Sequence, residues 1–176
     1  MSSSCSGGSE IVETTDIVLD ASACVAYILR NETSEAGRWA WLRGFFEAAA
    51  PVRRVVPYLF PAEVQSALEK ARTRIAEAEP AKLDAYDREV LAELYPRVMR
   101  GFEVVDEGLI RGDGITHGGR CTRSDMIYVK LAADRQAPLL SWDNKQVACA
   151  RDRGVAAWLP NEPDARAWLL ERQVSL

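Results

Sequence analysis

Short apolar runs recur along the chain, separated by longer stretches in which apolar residues return every three or four positions. The short runs predict buried β-strands at residues 17–19, 54–57, 102–105, 138–141 and 155–158. The longer stretches predict helices at residues 21–29, 35–49, 62–76, 80–95, 124–133, 145–153 and 162–171. Because strands and helices alternate, the pattern predicts an α/β fold with a central, mainly parallel sheet of four to five strands.

Two segments lie outside this alternation. The first ten residues are mostly small and polar, so we predict a flexible tail over residues 1–14 and a single domain over residues 15–176. Residues 106–120 contain five glycines and are predicted to form a loop. The only histidine, His117, lies in this loop and is expected to face solvent.

Composition places the chain among ordinary globular proteins. Charged residues make up 27% and hydrophobic residues 48% of the sequence. No apolar run approaches the roughly 18 residues of a membrane-spanning helix, and no signal peptide is evident, so we expect a cytoplasmic protein that does not enter a membrane. The net charge of -4 does not by itself indicate nucleic-acid binding.

The cysteines give no sign of a metal site or of a disulfide framework. They stand in unrelated contexts, without a CxxC pair, at Cys5, Cys24, Cys121 and Cys149. We therefore expect reduced thiols.

Four acidic residues are distinguished by their positions in this pattern. Asp20 follows the first strand and Asp143 follows the fourth, while Glu63 and Asp125 lie in the first turns of helices. Because helices begin where parallel strands end, all four carboxylates are expected at one edge of the sheet. Carboxylates that share a pocket repel one another unless a cation neutralises them, and hard oxygen ligands suit Mg²⁺ or Mn²⁺. The pattern predicts a metal pocket holding one ion or two.

Each acid also has a simpler interpretation when it is taken alone. Glu63 and Asp125 would stabilise the N-termini of their helices, and Asp143 would cap a helix or shape a turn.

Four short motifs surround these acids. They are Ile17-Val18-Leu19-Asp20-Ala21-Ser22, the pattern Pro-x-Glu-Val-x-x-Ala-Leu ending at Leu68, Ser124-Asp125-x-x-Tyr128-x-x-x-Ala132, and Leu140-Ser141-x-Asp143. In their order and spacing they resemble the PIN-domain nucleases, and especially the VapC-type toxin ribonucleases of bacterial and archaeal toxin-antitoxin pairs. The resemblance extends over residues 17–158.

The resemblance implies a PIN-like, three-layer α/β/α fold and a divalent-metal-dependent endoribonuclease, the toxin of a type II toxin-antitoxin pair. It also implies an RNA substrate, a small antitoxin protein as partner and a homodimer. The residues that match the family's acidic quartet, and are expected to be catalytic and to hold Mg²⁺ or Mn²⁺, are Asp20, Glu63, Asp125 and Asp143. Asp20 and Asp125 are expected to hold the ion most directly.

Further residues are expected to support this site. Ser22 and Ser141 match small hydroxyl positions that orient carboxylates or a metal-bound water, and Asn144 would add a polar contact. Basic residues flank the site, and of these Arg72, Arg123 and Lys145 are the main candidates for phosphate contacts; the others are Lys70, Arg74 and Arg120.

Two alternatives remain open at this point. A PIN-fold regulatory or scaffold module without nuclease activity would use the aromatic helix between Trp39 and Phe46 as its interface, although such an apolar stripe is more often core. A phosphoacceptor domain would use Asp20 as nucleophile, but the chain lacks a second aspartate two residues away.

Overall fold

The computed structural model describes residues 15–30, 36–47, 52–106 and 122–173. Its strands are β1 (Thr15–Leu19), β2 (Val52–Pro57), β3 (Phe102–Val105), β4 (Leu139–Leu140) and β5 (Ala157–Trp158). They form a five-stranded sheet in the order β3-β2-β1-β4-β5, and all neighbouring strands are parallel. The predicted α/β class with a parallel sheet is confirmed.

The helices fill the connections between the strands. They are α1 (Ala21–Ile28), α2 (Ala36–Glu47), α3 (Phe60–Ala78), α4 (Leu83–Tyr86), α5 (Tyr95–Met99), α6 (Arg123–Arg135), α7 (Asn144–Arg151) and α8 (Pro163–Gln173). A 3-10 turn at Pro80–Lys82 precedes α4, and a π-helical stretch at Asp87–Leu94 joins α4 to α5.

Helical structure continues through Pro96, whereas the sequence pattern predicted an end before this proline. A proline ring normally crowds the carbonyl group four residues earlier in an α-helix. Here the preceding turn is wider, because the Tyr95 N–H donates to the Val90 carbonyl five positions back. The wider turn leaves room for the ring, and the helix can continue.

Strand β1 forms the centre of the sheet and of the core. Ile17, Val18 and Leu19 are 0% exposed. Val18 pairs with Val55 of β2 on one side and with Leu139 of β4 on the other. A strand that is covered on both faces needs apolar side chains in both directions, which is why β1 appears in the sequence as an unbroken apolar run.

The strand order determines where a site can form. From β1 the chain builds outward through β2 and β3, then returns to add β4 and β5 on the other side. With the right-handed crossovers that parallel strands almost always have, this order puts α1 to α5 on one face and α6 and α7 on the other, which gives three layers. Helix α6 packs on β1, β2 and β4. The order reverses between β1 and β4, and crevices for ligands form at such a switch point.

The aromatic helix α2 faces the core. Leu42 and Phe45 are buried, and Phe46 stacks on Tyr27 with ring centroids 4.3 Å apart. These side chains therefore do not form the exposed aromatic surface on which the binding-module hypothesis relied.

Several predictions concern residues outside the described ranges. These are the tail over residues 1–14, residues 107–120 of the glycine-rich loop with His117 and Arg120, and the cysteines Cys5 and Cys121. None of the helices in the described ranges has the length and hydropathy needed to cross a membrane.

The two remaining cysteines differ from each other. Cys24 is a buried free thiol, as expected, but Cys149 is disulfide-bonded. The prediction of a reduced thiol is therefore wrong for Cys149. Disulfide formation depends on the approach of two cysteines in the folded chain, which their spacing in the sequence does not reveal.

Candidate active site

Asp20 lies where β1 ends and α1 begins, beside the end of β4. Its N–H donates to the Leu140 carbonyl oxygen at 3.0 Å, which extends the pairing with β4 beyond the last strand residue. Its side chain caps α1, because Oδ2 accepts a hydrogen bond from the Ser22 N–H at 3.1 Å. The residue is only 7% exposed. The carboxylate predicted at the strand edge is therefore present there and also has a structural role.

Two serine hydroxyls hold the same oxygen of Asp20. Ser141 Oγ donates to Asp20 Oδ2 at 3.0 Å, and Ser22 Oγ donates to it as well. Ser22 Oγ also accepts a hydrogen bond from the Trp142 N–H at 2.9 Å. The segments that follow β1 and β4 are joined through these groups, and both serines lie where the sequence predicted carboxylate-orienting residues.

Glu63 reaches the site from the first turn of α3. Its Oε2 accepts a hydrogen bond from the Tyr128 hydroxyl of α6 at 2.5 Å. Tyr128 is 1% exposed, so its hydroxyl is fixed by packing. A glutamate that served only the helix dipole would not need this buried partner from another helix.

Asp125 and Asp143 both act as helix-capping residues. Asp125 Oδ2 accepts from the Thr122 N–H at 2.8 Å, and the Asp125 N–H donates to Thr122 Oγ1, which completes a capping box at the start of α6. Asp143 Oδ1 accepts from the Lys145 N–H at 2.7 Å at the start of α7. The capping role considered for these two acids is therefore present, and their predicted role as metal ligands stays a prediction.

Three of the carboxylates influence one another electrostatically. Burial raises the pKa of Asp20 and the charge of Asp125 raises it further, although hydrogen bonds from Ser22 and Ser141 oppose the rise. Burial also raises the pKa of Glu63; the hydrogen bond from Tyr128 lowers it, and the charges of Asp20 and Asp125 raise it again. Asp20, Glu63 and Asp125 are therefore electrostatic neighbours.

The chemistry of this group fits a hard divalent cation. Within the described ranges, no lysine or arginine forms an ion pair with Asp20, Glu63 or Asp125. Oxygen ligands that repel one another and lack a neutralising cation suit Mg²⁺ or Mn²⁺.

The expected four-carboxylate cage is not assembled. Among the residues that the structure describes, no three Asp, Glu, His or Cys side chains are grouped closely enough to hold one ion. Mg²⁺ does not require such a cage, because it keeps several water ligands and usually binds through one or two carboxylates together with substrate phosphates.

Gln146 also belongs to this site, although the sequence pattern did not indicate a role for it. It lies on α7, is 1% exposed, and its side-chain amide contacts both Asp20 and Ser141. One signal pointed to it, because Gln146 is a polar residue on the same helix face as the buried Val147 and Ala150. Tyr128 was part of a recognised motif, but its contact with Glu63 was not predicted.

The polar and basic residues that were predicted to contact phosphates or to support the site differ in their surroundings. Arg72 forms two hydrogen bonds of 2.7 Å with Asp87, so its guanidinium already has a partner within the protein, and its phosphate contact stays a prediction. Lys145 and Asn144 are exposed at the start of α7, and neither side chain contacts the carboxylates in the described structure. The side chain of Arg123 lies outside the described part of the chain.

The raised pKa of Asp20 predicts a pH dependence of stability. In the unfolded chain this carboxyl ionises near 3.8, whereas in the folded protein it keeps its proton to higher pH. At Asp20 the folded state therefore binds more protons in the interval above about pH 4, and the contribution of Asp20 to the free energy of unfolding of the metal-free protein falls as pH rises through that interval.

This dependence can be isolated by chemical denaturation between pH 4 and 7 of the wild type and of Asp20→Asn. We expect the stability of the wild type relative to the variant to decrease steadily with rising pH, because the variant lacks both the titration of Asp20 and the Asp20 charge that raises the pKa of Glu63. A difference that stays constant, or that changes in the opposite direction, would contradict the raised pKa.

Comparisons with known proteins add little to this geometry. No protein-family model matches the chain, and no curated protein matches it either. The crystal structure of PAE2754 from Pyrobaculum aerophilum is similar over 91% of this chain and 90% of that chain, with 16% identity and a TM-score of 0.47. A domain of a functionally unknown protein from Methanocaldococcus jannaschii is similar over 85% of this chain and 93% of that chain, with 17% identity and a TM-score of 0.40. These similarities carry no information about activity.

Proposed function

We propose that this chain is a divalent-metal-dependent endoribonuclease of the PIN type. One observation carries the proposal: Asp20 is buried at the carboxyl end of the central strand, held by hydroxyl donors, with Glu63 and Asp125 as neighbouring charges. Asp20 is buried while Glu63 and Asp125 are half-buried, and carboxylates that raise one another's pKa in this way are stabilised by a cation. Their position at the switch point between β1 and β4 is the usual place for a ligand in an open parallel sheet.

The metal-binding residues would be Asp20, Glu63 and Asp125, joined by Asp143 from the start of α7. Mg²⁺ or Mn²⁺ bound there would supply positive charge and an acidified water for hydrolysis of an RNA phosphodiester bond.

The chain's own residues prepare the site for such an ion. Ser22 and Ser141 fix the direction in which the Asp20 carboxylate faces, and Tyr128 fixes Glu63. Lys145 is exposed next to Asp143 and would contact the phosphate backbone of the RNA.

We propose the toxin of a type II toxin-antitoxin pair as the biological setting. In this proposal the protein is a cytoplasmic homodimer, and a segment of a small antitoxin protein covers the acidic crevice. The support is the order of the four motifs in the sequence together with the placement of Asp20, Glu63 and Asp125.

The experiment that tests the activity is incubation of the purified full-length chain with total cellular RNA. We expect cleavage with Mg²⁺ or Mn²⁺, loss of cleavage when EDTA is in excess, and recovery when Mn²⁺ is added back. Cleavage that persists in EDTA would contradict metal dependence. Absence of both cleavage and Mn²⁺ binding would favour the binding-module alternative.

A further inference from the structure

Gln146 is a buried polar side chain next to the proposed metal site. It lies one turn after Asp143 on α7, on a face whose other members are apolar and buried: Val147, Cys149 and Ala150. A primary amide in such a place is unfavourable unless its hydrogen-bonding groups are satisfied. Its partners therefore explain why a glutamine is found there.

The orientation of the amide follows from the groups that it faces. Ser141 Oγ has one proton and donates it to Asp20 Oδ2 at 3.0 Å, so only its lone pairs are directed at Gln146. The amide must present its NH₂ group to them. In this orientation Gln146 Nε2 donates to Ser141 Oγ at 2.7 Å and to Asp20 Oδ2 at 2.9 Å, and it lies 3.2 Å from Asp20 Oδ1.

The donors around Asp20 are distributed unevenly. Oδ2 receives hydrogen bonds from the backbone N–H and hydroxyl of Ser22, from the Ser141 hydroxyl and from the Gln146 amide. Oδ1 has only the longer contact with the same amide among the described residues. The carboxylate is therefore held mainly through Oδ2, whereas Oδ1 has one longer amide contact of 3.2 Å and the greater remaining capacity to bind a ligand.

We propose that Gln146 is a positioning residue, which holds the Asp20 carboxylate so that Oδ1 faces a divalent cation. This inference rests on the proposed function and deepens it, because it names the residue that orients the principal metal ligand. Gln146 also connects Ser141 to Asp20, so that one amide fixes two neighbours. A leucine or methionine at this place would fill the same space but leave both without this donor.

The first test replaces Gln146 with methionine, which has a similar volume and no donor. Mn²⁺ affinity is measured by isothermal titration calorimetry, and kcat and KM for RNA are measured at saturating Mn²⁺. We expect Mn²⁺ binding to weaken by about tenfold or more, kcat to fall and KM for RNA to stay close to the wild-type value. The matched control is Gln65→Met, because Gln65 is exposed on α3, and we expect no change in it.

The second test uses the metal-free wild-type protein and does not depend on the folding of a variant. Side-chain amide signals of Gln146 and Gln65 are assigned by NMR, and their exchange with D₂O is followed. We expect the Gln146 amide protons to exchange at least about tenfold more slowly than those of Gln65, and to shift in Asp20→Asn. Equal exchange rates, or no shift, would overturn the inference.

The outcomes separate this inference from the proposed function. If the wild type binds Mn²⁺ and Gln146→Met binds it equally well, the positioning role is overturned while the nuclease proposal stands. If the wild type binds no Mn²⁺, the proposed metal site is wrong. Slow exchange of the Gln146 amide protons then shows only a structural contact, and the positioning role is overturned as well.

Discussion

Asp20→Asn is expected to reduce Mg²⁺- or Mn²⁺-dependent RNA cleavage by at least about 100-fold. Loss of one charged metal ligand removes several kcal/mol of electrostatic stabilisation from the transition state, and each factor of ten in rate corresponds to about 1.4 kcal/mol. The fold is expected to survive, because asparagine can turn its carbonyl oxygen toward the donors from Ser22, Ser141 and Gln146.

Stability provides the control for this variant. Burial raises the pKa of Asp20, so its ionised form is unfavourable in the metal-free fold. At pH 7 we therefore expect the free energy of unfolding of Asp20→Asn to equal or exceed that of the wild type. A variant that remains folded and cleaves RNA at the wild-type rate would show that Asp20 is not a metal ligand.

Ser141→Ala is expected to lower both the stability and the metal affinity of the protein. Ser141 is 0% exposed, and its Oγ contacts Asp20, Gln146 and the Asp143 N–H. Alanine would leave each of these groups without one partner, two of them on the buried residues Asp20 and Gln146, which costs about 2 kcal/mol in the free energy of unfolding. Because Asp20 also loses an orienting donor, Mn²⁺ affinity is expected to fall by about tenfold.

Urea denaturation and calorimetry measure these two effects. Ser66→Ala is the matched control, since Ser66 is exposed on α3, and its free energy of unfolding is expected to stay within about 0.5 kcal/mol of the wild type. If Ser141→Ala were as stable as this control and bound Mn²⁺ normally, the hydroxyl would not connect β4 to Asp20 in the way described.

The fold was largely predictable because it depends on local patterns. Strand β1 is covered on both faces, so its apolar run and its end at Asp20 are visible in the sequence. The capping box at Thr122 and Asp125 is also local and marks the start of α6. Pro96 was misjudged, because a widened turn before a proline has no simple sequence signature.

The site was predicted only in part, because its contacts join distant parts of the chain. Asp20 and Ser141 could be placed at the ends of strands on one edge of the sheet from the pattern alone, but the pairing of these two strands could not. The contacts of Tyr128 with Glu63 and of Arg72 with Asp87 depend on how helices pack, which spacing does not determine. Gln146 was missed because glutamine is usually exposed on a helix, so its presence on a buried face was given no weight.

The most direct test of the metal site is the location of Mn²⁺ in the folded wild-type protein. Substoichiometric Mn²⁺ is added to the ¹⁵N-labelled protein, and paramagnetic broadening of the backbone amide signals is recorded by NMR. We predict that the signals of Asp20, Ser22 and Glu63 broaden first, while those of Thr15 and Val52 at the opposite edge of the sheet remain sharp. Broadening centred elsewhere, or uniform over the protein, would contradict a divalent-cation site at Asp20.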